Sequence, residues 1–235
     1  TSMTHNTAIG TDALSGSSLV DQCVIIGSQA GAGAIEATAD GSVAVGYAAL
    51  NSLTSGGKNV AVGFQALNAT TTGANNTAVG YHALLVNSTG ANNTAIGYAT
   101  LGGSQNVGDA NTAVGSSALT NFNPASDDVG HNTGLGYESG ASLTTGVENT
   151  YVGSGAGYRN ATGDNNTYVG YAAGKGNSGD SHSSNTAVGK SALEAITNGV
   201  QNTVMGHLAG DAITTGDGNV IIGYGSIAGN VDAQN

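Results

Sequence analysis

One nonapeptide, Asn76-Thr77-Ala78-Val79-Gly80-Tyr81-His82-Ala83-Leu84, recurs in near-copies along the chain, mostly 17 residues apart. A short fixed period restricts the fold to arrays in which each repeat is one supersecondary unit stacked on its neighbours. With the Gly of each copy as anchor, the series runs Gly10, Gly27, Gly46, Gly63, Gly80, Gly97, Gly115, Gly136, Gly153, Gly170, Gly189, Gly206 and Gly223. Thirteen coils result, and the longer steps are 19 residues to Gly46, 18 to Gly115, 21 to Gly136 and 19 to Gly189. The series predicts one repetitive body over residues 1–227 and a short polar tail at 228–235, the whole reading as a piece of something larger.

Alternation inside the unit predicts a β-strand, because successive strand side chains point to opposite faces. The residue before the anchor is a bulky aliphatic in every copy, including Val45, Val62, Val79, Ile96, Val114, Val152, Val169, Val188 and Ile222. Two residues earlier the chain carries Thr or Val, β-branched as strands prefer. Both rows are expected to line the inside of the coil, with Leu50, Leu67, Leu84, Leu101, Leu119 and Leu193 closing the core from a second strand over Tyr-x-Ala-Leu. The position between the two rows is also uncharged, as at Ile25, Ala61, Ala78, Ala95, Tyr151, Tyr168, Val204 and Ile221. A strand that is apolar on both faces is covered on both. With no helices to supply the outer cover, that row is expected to face another copy of the chain. The fold class is therefore all-β, a parallel β-roll or β-solenoid.

Composition supports a thin structure. The 235 residues include 40 Gly, 1 Pro, 2 Phe and no Trp, too few large side chains for a thick core. Four Lys and Arg against 15 Asp and Glu leave a net charge of -11, which argues against nucleic acid and anionic lipid as partners. No apolar run is long enough to span a bilayer, so no membrane insertion by this segment is expected. Cys23 has no second cysteine to pair with and stands where most coils have Asn.

Asn occupies the position four before the anchor in eleven of thirteen coils, replaced by Cys23 and Ser42, which predicts a stacked ladder of amides. Asp21, Asp40, Asp109, Asp164 and Asp217 are expected to fold back on local backbone N–H groups as Asx turns. Just after the anchor an aromatic row, Tyr47, Phe64, Tyr81 and Tyr98, continues at Tyr137, Tyr171 and Tyr224. It is expected to stack along the solenoid, either as a shielding ladder or as a platform for sugars. Insertions must leave a solenoid as loops. The longest step therefore makes Phe122, Asp127 and Asp128 candidate ligand contacts, the acidic pair being the one place suited to Ca2+.

The unit Asn76-Thr77-Ala78-Val79-Gly80 resembles the head repeat of YadA-like trimeric adhesins. Its extended form, Asn-Thr-Ala-Val-Gly-Tyr-x-Ala-Leu, is similar to repeats of phage tail fibres and large bacterial surface proteins, and the resemblance covers nearly the whole chain. It implies a left-handed parallel β-roll, three chains packed about an axis, and an extracellular position on a virion tail fibre or a bacterial surface.

An enzyme shows unique convergent polar residues, whereas here the polar residues are repeated elements of the coil. No catalytic residue, cofactor site or metal site is therefore assigned. The expected function is a non-enzymatic fibre or adhesin segment: the shaft or receptor-binding part of a phage tail fibre mediating host attachment, or the head of a bacterial trimeric adhesin binding host matrix or cell surface. The partners are a homotrimer of itself and a cell-surface glycan or protein receptor. A remote alternative is an ice-binding solenoid, which needs Thr rows facing water and is disfavoured by placing those rows inside.

Overall fold

The computed structural model describes residues 4–17, 20–103, 108–126, 129–177 and 179–227. Asp127, Asp128 and the tail at 228–235 lie outside the described residues. The chain divides into two compact units, Thr1–Val114 with Asn123–Val129, and Gly115–Phe122 with Gly130–Asn235.

Each unit is a parallel β-solenoid. The first carries β1 (Thr7–Ile9), β2 (Val24–Ile26), β3 (Val43–Val45), β4 (Val60–Val62), β5 (Thr77–Val79), β6 (Thr94–Ile96) and β7 (Thr112–Val114). The second carries β8 (Thr133–Leu135), β9 (Thr150–Val152), β10 (Thr167–Val169), β11 (Thr186–Val188), β12 (Thr203–Met205) and β13 (Val220–Ile222). Pairing is in register as the repeat requires, for example Val62↔Val79↔Ile96 in the first unit and Val152↔Val169↔Val188 in the second. The 19-residue step to Gly46 takes up its extra residues around a 3-10 turn, Ala37–Ala39.

The anchor glycine ends each strand for two reasons at once. Gly63 sits at φ +137°, outside the range of ordinary L side chains, and a Cβ there would lie 2.3 Å from the carbonyl oxygen of Gly80 in the next coil. Stacking at the strand spacing thus leaves no room for any side chain at this corner.

The two faces of the strand are the reverse of those expected. The middle residue points inward: Ile25, Ala61, Ala78, Ala95, Tyr151, Tyr168, Val204 and Ile221 are all buried, so they form core rather than a subunit surface. The flanking rows face outward. Ile96 and Ile222 are exposed, and Val45, Val62, Val79, Val114, Val152, Val169 and Val188 are only half-buried, so none belongs to the core. The reason is the thinness of the coil. A three-residue strand can turn only one side chain inward, and in the coils where that residue is Ala the opposite wall carries Leu50, Leu67, Leu84, Leu101, Leu119 or Leu193, each buried. Each such Leu contributes roughly 1.5 to 3 kcal/mol by leaving water. An Ala opposite a Leu fills the available width, and bulky flanking rows on the same side would not fit.

The Leu-bearing segment is a chain of turns rather than a second strand. Residues two and four after the anchor take positive φ, as at Gln65 (54°) and Leu67 (51°). Alternate N–H groups then point in opposite directions: Gln65 N–H donates back to Tyr47 O at 2.9 Å and Leu67 N–H forward to Ala83 O at 3.1 Å. Left-handed Leu costs on the order of 1 kcal/mol, offset here by its burial and by the bond to the next coil.

The Asn ladder is present, built chiefly from amide to backbone. Asn59 Oδ1 accepts from Asn76 N–H and Asn76 Oδ1 from Asn93 N–H, each at 2.9 Å, and Asn76 Nδ2 donates to Gly90 O at 2.9 Å. Asn149, Asn166, Asn185, Asn202 and Asn219 continue the same pattern in the second unit. The Asp row also bonds between coils rather than within one turn: Asp164 Oδ1 accepts from Val147 N–H and Asp217 Oδ1 from Val200 N–H, both at 2.8 Å.

Candidate functional site

The row after the anchor leaves the coil at its corner, where no neighbouring segment covers it. In the first unit the rings of Tyr47, Phe64, Tyr81 and Tyr98 stack in sequence with centroids 5.2, 5.2 and 5.4 Å apart and planes within 19°. His82 lies against Tyr81 at 3.9 Å and bonds Gln65 Oε1 through Nε2 at 2.9 Å. The strand spacing sets this separation, since each ring stands on the ring one coil below. Consequently Phe64 and Tyr81 have a ring on both sides and present mainly edges and a hydroxyl to solvent. A sugar needs a bare ring face, so the middle of this ladder is a poor platform.

In the second unit the row reads Ser116, Tyr137, Ser154, Tyr171, Lys190, His207, Tyr224. Tyr137 and Tyr171 are exposed and stand on either side of Ser154, one coil away on each side, as the bonds from Gly155 N–H to Tyr137 O and Ala172 N–H to Ser154 O record. Around Ser154 opens a cleft of about 300 Å3 lined by Tyr137, Glu138, Ser154, Gly155, Tyr158, Arg159, Tyr171, Ala172 and Lys175. Arg159 lies beside the Tyr158 ring, 5.8 Å from its centroid, and Lys175 pairs with Glu194 at 3.6 Å. Tyr137 donates to Glu138 Oε1 at 2.9 Å, and that carboxylate raises the phenol's pKa. Of the four Lys and Arg in the chain, two line this cleft.

Phe122 is buried, so its expected role as a ligand contact is not met; the insertion folds its aromatic back into the core. Cys23 is buried in the Asn row, its thiol donating to Asp21 O at 3.4 Å, and burial raises its pKa. Among the described residues no three His, Cys, Asp or Glu side chains converge as metal ligands, and no helix is long and apolar enough to cross a membrane.

A buried polar group went unpredicted. In β9 and β10 the inward residues are Tyr151 and Tyr168, stacked at 5.6 Å. Asn160 Nδ2 donates to the Tyr151 hydroxyl at 3.0 Å, and the Tyr168 hydroxyl bonds His182 Nδ1 at 2.8 Å. Burial lowers the His182 pKa to about 4 and raises those of both tyrosines. The signal was in the sequence. Where the middle residue is Tyr, the position six later is Gly157 or Gly174 instead of Leu.

No protein-family model matches this chain, and no curated protein and no solved structure matches it either.

Proposed function

We propose that the chain is a non-enzymatic extracellular fibre or adhesin segment, a homotrimer that attaches a phage tail fibre, or alternatively a bacterial surface adhesin, to a cell. The observation that carries this reading is the outward strand face. In each unit it presents a row of Thr and Val beside a row of Val, Ile, Leu and Met, with Ile96, Leu135, Met205 and Ile222 among the exposed members. A flat apolar stripe of this kind on a monomer marks an interaction surface, and a repeating stripe is matched in pitch by a second copy of itself. The left-handed coil and the number three follow from the resemblance to YadA-like heads. Sedimentation equilibrium tests the assembly. A trimer that Ile96→Lys converts to a folded monomer is expected, and a wild-type monomer sinks the reading. Attachment is tested by binding of the labelled chain to bacterial and animal cell panels.

One observation favours a second reading. The strand threonines face outward, with Thr112, Thr167, Thr186 and Thr203 exposed, so the argument that disfavoured ice binding no longer holds. An uncovered, regularly spaced Thr and Val face is the requirement for that activity. Thermal hysteresis by a monomer would favour ice; a trimer without hysteresis favours attachment.

A further inference from the structure

The aromatic row of the second unit is interrupted at Ser154, between two tyrosines, and the gap there is ring-sized. In the first unit Phe64 fills the space between Tyr47 and Tyr81, its centroid 5.2 Å from each. In the second unit Ser154 stands where that ring would be, so Tyr137 and Tyr171 are separated by two strand spacings, roughly 9.5 Å. The floor is open, because a Cβ built on Gly155 would meet nothing within 4 Å. A ring supplied from outside could take the place that Phe64 takes in the intact ladder, with a tyrosine on either side.

The charges around the gap say what else that ring carries. The chain has a net charge of -11, yet Arg159 and Lys175 both line the slot. Lys175 is engaged with Glu194. Among the described residues Arg159 pairs with no carboxylate, and its planar fork suits one well. The other charged groups nearby are Glu138, which accepts the Tyr137 hydroxyl, and Asp211 in the adjoining cleft. Ser154 and Glu138 can also bond hydroxyls on the inserted ring, which a bare aromatic acid would leave unused.

The geometry points to a binding site for an acidic sugar: a pyranose ring sandwiched between Tyr137 and Tyr171 over Ser154, its carboxylate on Arg159. This deepens the attachment reading and rests on it for the class of ligand.

The test titrates the full chain with a glucuronic-acid-containing oligosaccharide, its neutral glucose counterpart and benzoate, following tyrosine resonances by NMR. The acidic oligosaccharide is expected to bind, with the neutral one weaker by about tenfold or more. Ser154→Tyr restores the rung with a residue that six other coils carry at this position, and it should abolish binding without loss of fold. Arg159→Gln should weaken the acidic sugar by about tenfold and leave the neutral one unchanged. Absence of binding by either oligosaccharide, unchanged affinity in Ser154→Tyr, equal binding of both sugars, or competition by benzoate as strong as by the glucuronate would each overturn the assignment. Binding of wild type and Ser154→Tyr to uronate-coated cells separates the two readings. Attachment retained equally by both removes the slot and keeps attachment; glucuronate binding in solution without any cell attachment does the opposite.

Discussion

The coils around β4 to β6 and those around β9 and β10 solve the same packing problem in opposite ways. In the first group Ala61, Ala78 and Ala95 face inward and Leu67, Leu84 and Leu101 fill the remaining width. In the second, Tyr151 and Tyr168 cross the whole coil, and Gly157 and Gly174 clear the opposite wall. A Cβ at Gly174 would lie 2.4 Å from the Tyr168 ring, and one at Gly157 2.5 Å from that of Tyr151. Between these two groups of coils the interior keeps its filled volume rather than a fixed residue at either wall. The Tyr solution also imports hydroxyls, and with them Asn160, Asn166 and His182 as buried partners.

The largest test breaks that complementarity. Gly174→Leu should cost about 4 kcal/mol or more in urea denaturation, by overpacking against Tyr168. The strand-swapped double variant Tyr168→Ala with Gly174→Leu recreates the Ala and Leu pair and should recover most of the loss. A residue of about 1 to 3 kcal/mol should remain for the partner that His182 loses. A double variant no better than the single one would show that volume is not what the two positions share.

In the Ala and Leu coils, Leu84→Ala leaves a cavity that no flexible neighbour can fill, and about 3 kcal/mol should be lost in the same assay. A loss below about 1 kcal/mol would mean that the coil collapses onto the gap, contrary to the tight lateral packing of the anchor glycines.

Acid should find the Tyr coils first. His182 has a folded pKa lowered to about 4 by burial, so the neutral imidazole is the native form. The unfolded chain binds the proton more readily near pH 6.5, and stability is full above that value. It declines as pH falls from about 6.5 towards 4, by on the order of 3 kcal/mol over the window. The difference between wild type and His182→Gln across that range isolates this contribution from the carboxylates, and parallel profiles would refute it.

The smallest effect belongs to the outward row. In a monomer, Ile96→Thr should change stability by no more than about 0.5 kcal/mol, whereas Ala95 one residue earlier tolerates no enlargement. A large loss for Ile96→Thr that depends on protein concentration would locate the subunit contact on this face.

The sheet register, the glycine corners and the Asn ladder were legible from one chain because each repeats at a fixed offset, and a structure in which every lap touches only its neighbours turns sequence period directly into spatial contact. The aromatic stack over Tyr47 to Tyr98 was legible for the same reason. Which strand face is inside was not. Bulk at Val79 and Ile96 suggested burial, but apolar rows serve both as core and as contact surface, and hydrophobicity does not distinguish them. The exchange of Ala and Leu for Tyr and Gly was written in the sequence and would have decided it, since two positions that trade volume must share a cavity.

The acidic-sugar slot lies further from the sequence. Ser154 reads there as an ordinary substitution, and only its place between Tyr137 and Tyr171, with Arg159 brought to the rim by the following turn, makes a cleft. The residues alone determined that laps of 17 stack in register, because a backbone repeat and a glycine that excludes every side chain admit little else. Tertiary structure alone decided what each lap turns inward, because that depends on the width of a closed coil, a distance set by both walls together.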